Sequence, residues 1–265
     1  MNRESRDLIT IKNLSKHYIV KKNIFAKKNL IKAVNDVSFE IKEGESLGLI
    51  GESGCGKSTT ASLILNLIKA DEGKIIYKNM DLTKINDDVM RGLRKELQII
   101  FQASQGTLDP LMTIDELLKV PLRLHKIVDN SGLDSEVIRL LNLVELSESD
   151  KYKYPHQMSG GQRQRIGIAR AIATRPSFII CDEPVSALDV SIQGQILNLL
   201  ENLRKELKLT YLFISHDLKV VKHLCDRIAV MNSGKIVEIG QTMKILDKPK
   251  EEYTKKLISS QLFSS

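Results

Sequence analysis

The chain has 265 residues, 42% of them hydrophobic, which suits one large α/β domain or a domain with a lobe rather than two independent domains. Its polar start, MNRESRDLIT, and the lack of any apolar run near the roughly 18 residues that cross a bilayer argue against a secretion signal and a membrane span. The net charge of +7 comes from scattered, interleaved basic and acidic residues, so a solvated basic surface with no nucleic-acid partner is expected, and three isolated cysteines, Cys55, Cys181 and Cys225, predict reduced cytoplasmic thiols without metal or iron–sulfur spacing.

Residues 8–50 read as short strands, with β-rich runs in LITIKNL and VSFEIKEG followed by the apolar SLGLIG. Between them the lysine-rich segment 19–32, with Lys21, Lys22, Lys27, Lys28 and Lys32, lacks a helical apolar stripe and is expected to be a solvated loop. Residues 57–68 continue as a helix, EGKIIYKNM returns to strand, and LQIIFQ is a buried strand. From Thr113 the pattern turns helical. Thr113 and Glu116 have capping-box spacing, and Val137, Leu140, Leu141 and Val144 share one face, so roughly 103–165 reads as a helical lobe. SFIICD and YLFISHD are strands flanking a helix with the stripe Ile192, Ile196, Leu199, Leu200, Leu203 and Leu207. The hairpin RIAVMNSGKIVEIG and an amphipathic tail follow. This alternation predicts an α/β fold with a mainly parallel sheet.

GESGCGKST, comprising Gly51, Glu52, Ser53, Gly54, Cys55, Gly56, Lys57, Ser58 and Thr59, follows an apolar strand and opens a helix. That context makes G-x-x-x-x-G-K-[ST] a phosphate-binding loop. Backbone N–H groups wrap the phosphates, the helix start favours negative charge, Lys57 reaches the outer phosphates and Ser58 holds Mg²⁺. FIICDEP supplies the complement. Asp182, at the end of a hydrophobic strand, orients the metal shell, and Glu183 accepts a proton from an attacking water. Cys55 lies between a helix start and a cation, so its thiolate is expected to be favoured and reactive.

MSGGQRQRIGIARAIATRP, Met158–Pro176, is a second helix start rich in bare amides, at Ser159, Gly160, Gly161 and Gln162. It closely resembles the signature of ATP-binding-cassette ATPases, usually LSGGQ, with Met158 in place of leucine. The resemblance runs over roughly residues 8–257 and is strongest to the oligopeptide and dipeptide importer group, whose relatives include nickel and metal-chelate importers, as the F-type member of a D/F pair. YPHQMSGGQRQRIGIARA, ICDEPVSALDVSIQGQILNLL, HDLKVVKHLCDR, the lysine-rich segment and EEYTKKLIS carry it.

The resemblance implies a P-loop (RecA-like) α/β core with an antiparallel β subdomain and a helical signature subdomain, over 8–245, with a short tail at 246–265. It implies ATP and Mg²⁺ as ligands, and head-to-tail pairing with a second cassette subunit, so that Ser159 to Gln162 act on the partner's nucleotide. It makes Gln102 the residue that couples nucleotide and metal to the membrane subunits, Ser186 to Asp189 the inter-cassette loop, His216 the γ-phosphate switch and Tyr18 the aromatic that stacks on adenine. It further implies two permease subunits, a solute-binding protein, and a peripheral place on the cytoplasmic side of the membrane. The sequence departs from the group at FQASQGTLDP, where FQDP and an SLNP turn are usual, and lacks the cysteine-bearing extension of many members. The other readings weighed are a soluble cassette ATPase uncoupled from transport, whose usual double cassette or coiled coil is missing, and a nucleotide-binding regulator without turnover, for which Glu183, Gln102 and His216 together have no use.

Overall fold

The computed structural model describes residues 6–20, 29–102, 106 and 108–262. The chain forms two compact units, Met1–Met90 with Leu212–Ser265, and Arg91–Tyr211. The first unit opens with β1 (Asp7–Val20), β2 (Asn29–Lys42), β3 (Ser46–Ile50), α1 (Lys57–Ile64), β4 (Glu72–Tyr77) and β5 (Met80–Asp81), and α2 (Asp87–Leu93) leads out of it. The second carries β6 (Leu97–Ile100), α3 (Ile114–Leu124), α4 (Leu133–Leu143), α5 (Gly160–Ile172), β7 (Phe178–Asp182) and α6 (Val190–Leu207). β8 (Thr210–Ser215) returns the chain to the first unit, which closes with α7 (Leu218–Leu224), β9 (Arg227–Asn232), β10 (Lys235–Gln241), α8 (Thr242–Asp247) and α9 (Glu252–Leu262).

In the first unit an antiparallel sheet runs in the order β2-β1-β4-β5. Its register puts Ile9 and Ile11 of β1 beside Ile41 and Phe39 on one side and beside Tyr77 and Ile75 on the other, all buried, so alternate β1 side chains face a core. A second sheet in this unit pairs β3 in parallel with β9, and β9 antiparallel with β10. Every residue of β3 and of β8 is buried, as their largely apolar sequences lead one to expect of strands covered on both faces. In the second unit β6 pairs in parallel with β7, Ile100 opposite Cys181. The fold is therefore α/β, with an antiparallel sheet beside parallel pairing. Among the described residues no helix is long and apolar enough to cross a membrane.

Several elements differ from their sequence reading. β1 and β2 are 14 residues each, not short strands, and they extend into the lysine-rich segment: Ile19 pairs with Leu30 and His17 with Lys32. Lys21, Lys22, Lys27 and Lys28 lie outside the described residues. α1 stops at Ile64, short of the expected 68, because Asn66 takes the left-handed conformation (φ 51°) and the Leu67 N–H turns back to the Ser62 carbonyl at 2.9 Å. The boundary expected at 165 falls inside α5. In α6 the buried stripe is Ile196, Leu199, Leu200 and Leu203 with Leu197 added, while Ile192 and Leu207 are half-buried.

The second unit contains a buried acid. Glu136 of α4 accepts from Arg139 Nε (2.9 Å) and Nη2 (2.8 Å), and from Arg175 Nη2 (3.5 Å) beyond α5. The Arg139 hydrogen bonds outweigh burial and hold its carboxyl below the ordinary glutamate value. Its stabilisation is therefore complete above the unfolded glutamate pKa, about 4.3, and fades as pH falls through the lower folded value. Glu136→Gln is expected to lower the urea midpoint at pH 7 and to converge on the wild type as pH drops below about 4. Paired urea titrations at several pH values measure the convergence.

Candidate functional site

The chain leaves β3 at Ile50, turns through residues 51–56 and enters α1 at Lys57. Two glycines let this turn lie against neighbouring backbone. A Cβ on Gly51 (φ 152°) would stand 2.2 Å from the Met231 carbonyl oxygen of β9, and one on Gly56 (φ 113°) would stand 2.2 Å from the Ala33 carbonyl oxygen of β2. No other residue type fits either place. The Gly234 N–H, in the β9–β10 turn, donates to the Cys55 carbonyl at 2.9 Å and ties the loop down from a third side.

The start of α1 is chemically bare. No side chain caps it and no acidic residue occupies its first turn. Its leading N–H groups and positive dipole end thus lack a built-in anion. The buried Lys57 folds back over the loop, its Nζ donating to the Gly51 (2.7 Å) and Glu52 (2.8 Å) carbonyls. Ser58 is exposed on the first turn, and Thr60 Oγ1 donates to the Gly56 carbonyl at 3.0 Å. A steric cradle, an open helix start and a cation within the loop fit a phosphate chain.

The expectation for Cys55 is corrected here. The side chain is 7% exposed, and its burial pushes the thiol pKa up by more than the charge and hydrogen bonds of Lys57 pull it down. The helix start and the cation are present as read. What the residue order did not show is the packing of this sulfur beneath Gly51.

Tyr18 and His216 are the other site candidates in the first unit. Tyr18 is exposed on β1, with Lys16 Nζ 5.8 Å from its ring centre, and pairs with Ile31, two residues before the Ala33 that bounds the phosphate loop. His216 follows β8 with an exposed side chain, where the Asp217 N–H donates to Ser215 Oγ (3.0 Å) and the Asp217 carboxylate caps α7 through the Lys219 N–H (2.7 Å).

The remaining candidates lie in the second unit. Gln102 is exposed two residues beyond β6. Asp182 ends β7, and Glu183 follows in the left-handed conformation (φ 48°), its carbonyl accepting from the N–H (3.3 Å) and hydroxyl (3.1 Å) of Ser186. Ser159 caps α5: its Oγ accepts from the Gln162 N–H at 3.2 Å, and Gln162 Oε1 accepts from the Ser159 N–H at 2.9 Å. A Cβ on Gly161 would stand 2.7 Å from Ile192 Cγ2, so the start of α6 packs on the start of α5. The candidates thus form two groups, one in each unit. The reading from sequence missed the supports Ala33, Met231 and Gly234; of these only the S-G turn at 233–234 left a local mark, as a hairpin signal.

The ABC transporter family model matches residues 34–186. Over 255 residues the chain is 44% identical to the oligopeptide transport ATP-binding protein AppF of Bacillus subtilis, covering 96% of this chain and 78% of the relative. It is 45% identical over 261 residues to the oligopeptide transport ATP-binding protein OppF of Streptococcus mutans, covering 98% and 83%. Its fold is similar to that of the ATP-binding cassette MJ0796, solved as a dimer in a post-hydrolysis state with ADP and Pi, at a TM-score of 0.77 and 31% identity over 88% of this chain and 98% of that one.

Two outcomes are expected at the phosphate loop. Gly56→Ala abolishes nucleotide binding while the protein still folds, because the new Cβ must displace the loop from Ala33; calorimetric titration with MgATP reads the loss. Cys55 alkylates slowly at pH 7.5, with a rate that rises only above the pH at which a free cysteine responds, as mass-spectrometric time courses across pH would record.

Proposed function

The chain belongs to the ABC transporter family, and from that premise we propose that it is the ATP-binding and ATP-hydrolysing subunit of an importer that takes up peptides through separate transmembrane subunits. The observation that carries the ATPase reading is the uncapped start of α1, with a cation folded into the loop and two glycines that only a bare backbone could replace. The peptide reading rests on relatives 44–45% identical over nearly all of this chain, which spans 78% and 83% of their length, both named as oligopeptide transport ATP-binding proteins.

In this reading the amides of residues 54–59 take the phosphates, and Lys57 exchanges two carbonyls for phosphate oxygens. Tyr18 offers an exposed ring for stacking on adenine. Ser58, Asp182 and Gln102 would hold Mg²⁺, which neutralises charge on the phosphates when bound. Glu183, fixed by the Ser186 bonds to its own carbonyl, takes the proton of the attacking water, and His216 contacts the γ-phosphate from its exposed place after β8. Ser159, Gly160, Gly161 and Gln162 serve the nucleotide of a second cassette subunit, and Gln102 relays its state to the permeases. The working complex comprises two cassettes, two permease subunits and a solute-binding protein, with this chain on the cytoplasmic face of the membrane.

Glu183→Gln is expected to leave MgATP binding near the wild-type value while turnover falls about 100-fold or more, the scale of losing a general base. Binding titration together with phosphate release by the assembled transporter tests this; turnover near the wild-type rate would remove Glu183 from the role of base.

A further inference from the structure

The C-terminal helix α9 holds both functional loops of the first unit. Glu238 of β10 fixes its entry, with its carboxylate accepting from the N–H groups of Lys250 (3.0 Å) and Glu251 (3.2 Å). Thr254, Leu257 and Ile258 bury its inner face. From this anchored helix Tyr253 reaches the phosphate loop, its hydroxyl oxygen accepting from the Glu52 N–H at 3.2 Å. Glu52 also supplies, through its carbonyl, one of the two acceptors for Lys57. About two turns further along α9, Gln261 reaches the loop after β8: its Nε2 donates to the His216 carbonyl, and its Oε1 accepts from the Leu218 N–H at 3.0 Å. One helix therefore contacts the peptide unit that holds Lys57 and the backbone on both sides of Asp217.

We propose that Tyr253 and Gln261 are positioning residues for ATP hydrolysis, Tyr253 setting the phosphate loop through Glu52 and Gln261 setting His216 through its carbonyl. The proposal rests on the ATPase reading above. The two act on different steps. The Tyr253 bond shapes the part of the loop that carries Lys57, so it governs how tightly nucleotide is held. The Gln261 bonds fix the backbone from which His216 projects, so they govern the chemical step. The Tyr253 hydroxyl stays neutral at physiological pH, since burial raises its pKa by more than the Glu52 N–H lowers it, and a neutral phenol is a competent acceptor.

The test uses the full chain and its assembled transporter. Tyr253→Phe keeps the ring and removes only the acceptor. It is expected to weaken binding of a non-hydrolysable ATP analogue and raise KM for ATP about three- to tenfold, one hydrogen bond's worth, with kcat unchanged. Gln261→Met keeps the shape and removes both bonds; kcat is expected to fall about three- to tenfold with KM held. Gln261→Glu retains the acceptor for Leu218 but loses the donor to His216, and is expected to lose as much kcat as Gln261→Met. Melting temperatures within about 2 °C of wild type, alongside this split, support positioning. Wild-type constants in both the Phe and Met variants overturn the proposal, as does a loss of activity that follows a matching fall in melting temperature, which would make α9 a structural brace alone. A wild-type complex that binds the analogue but hydrolyses no ATP sinks the functional reading, and the proposal with it.

Discussion

A neutral backbone can hold a highly charged phosphate chain only if several amides point at one place and nothing else in the protein satisfies them. In this chain exclusion shapes the loop and the helix start that follows it. Gly51 and Gly56 lie so close to the carbonyls of Met231 and Ala33 that a single added carbon would collide, and no side chain reaches back to cap α1. Much of the first unit can be understood as support for that loop. β3 delivers it, β2 and β9 wall it, the β9–β10 turn pins Cys55, and Lys57 closes it from inside. The same enclosure sets the chemistry of Cys55. A sulfur buried to this degree meets a desolvation cost that a neighbouring ammonium offsets only in part.

The second unit solves a different problem, the placement of side chains. Glu183 occupies a left-handed backbone well that costs a residue with a Cβ about 1–2 kcal/mol. The two Ser186 bonds to its carbonyl help hold it there, and the turn redirects the chain directly after the buried strand β7. Strain at a residue directly after a rigid strand is the kind of local cost that persists where geometry serves function. An Asp-Glu pair in a relaxed surface turn would place its carboxylates less reproducibly.

How much of this could be read from the residues alone depends on range. β3, β7 and β8 were legible because strands covered on both faces carry short, mainly apolar runs, and the start of α3 was legible because Thr113 and Glu116 bond to each other three residues apart. The phosphate loop was legible because its glycines and lysine are adjacent. The length of β1 and β2 was not. Their exposed edge tolerates lysine, so the strands run on where composition reads as loop. The tie on Cys55 was hidden because it comes from the Gly234 N–H on its carbonyl, and the Tyr253 contact because its donor lies 201 positions away. Local rules capture local bonds; contacts between distant segments leave no spacing to find.

The start of α5 shows how one side chain can stabilise a helix and still keep a hydrogen to donate. Ser159 Oγ accepts the Gln162 N–H, and the Gln162 side chain accepts the Ser159 N–H, so the first turn of α5 is closed without any ligand. A hydroxyl that accepts one bond still has its own hydrogen to donate. The capping bond therefore uses the Ser159 hydroxyl as an acceptor only. Gly161 is buried and has little room for a side chain, because Ile192 Cγ2 would stand 2.7 Å from its Cβ, so the start of α6 packs against the start of α5 there. Alanine at Ser159 would forfeit both the cap and the donor, whereas asparagine or aspartate would keep a cap acceptor, and aspartate would add a negative charge at the helix start. Serine is small, neutral, and able to accept from its own helix while keeping a hydroxyl hydrogen to donate.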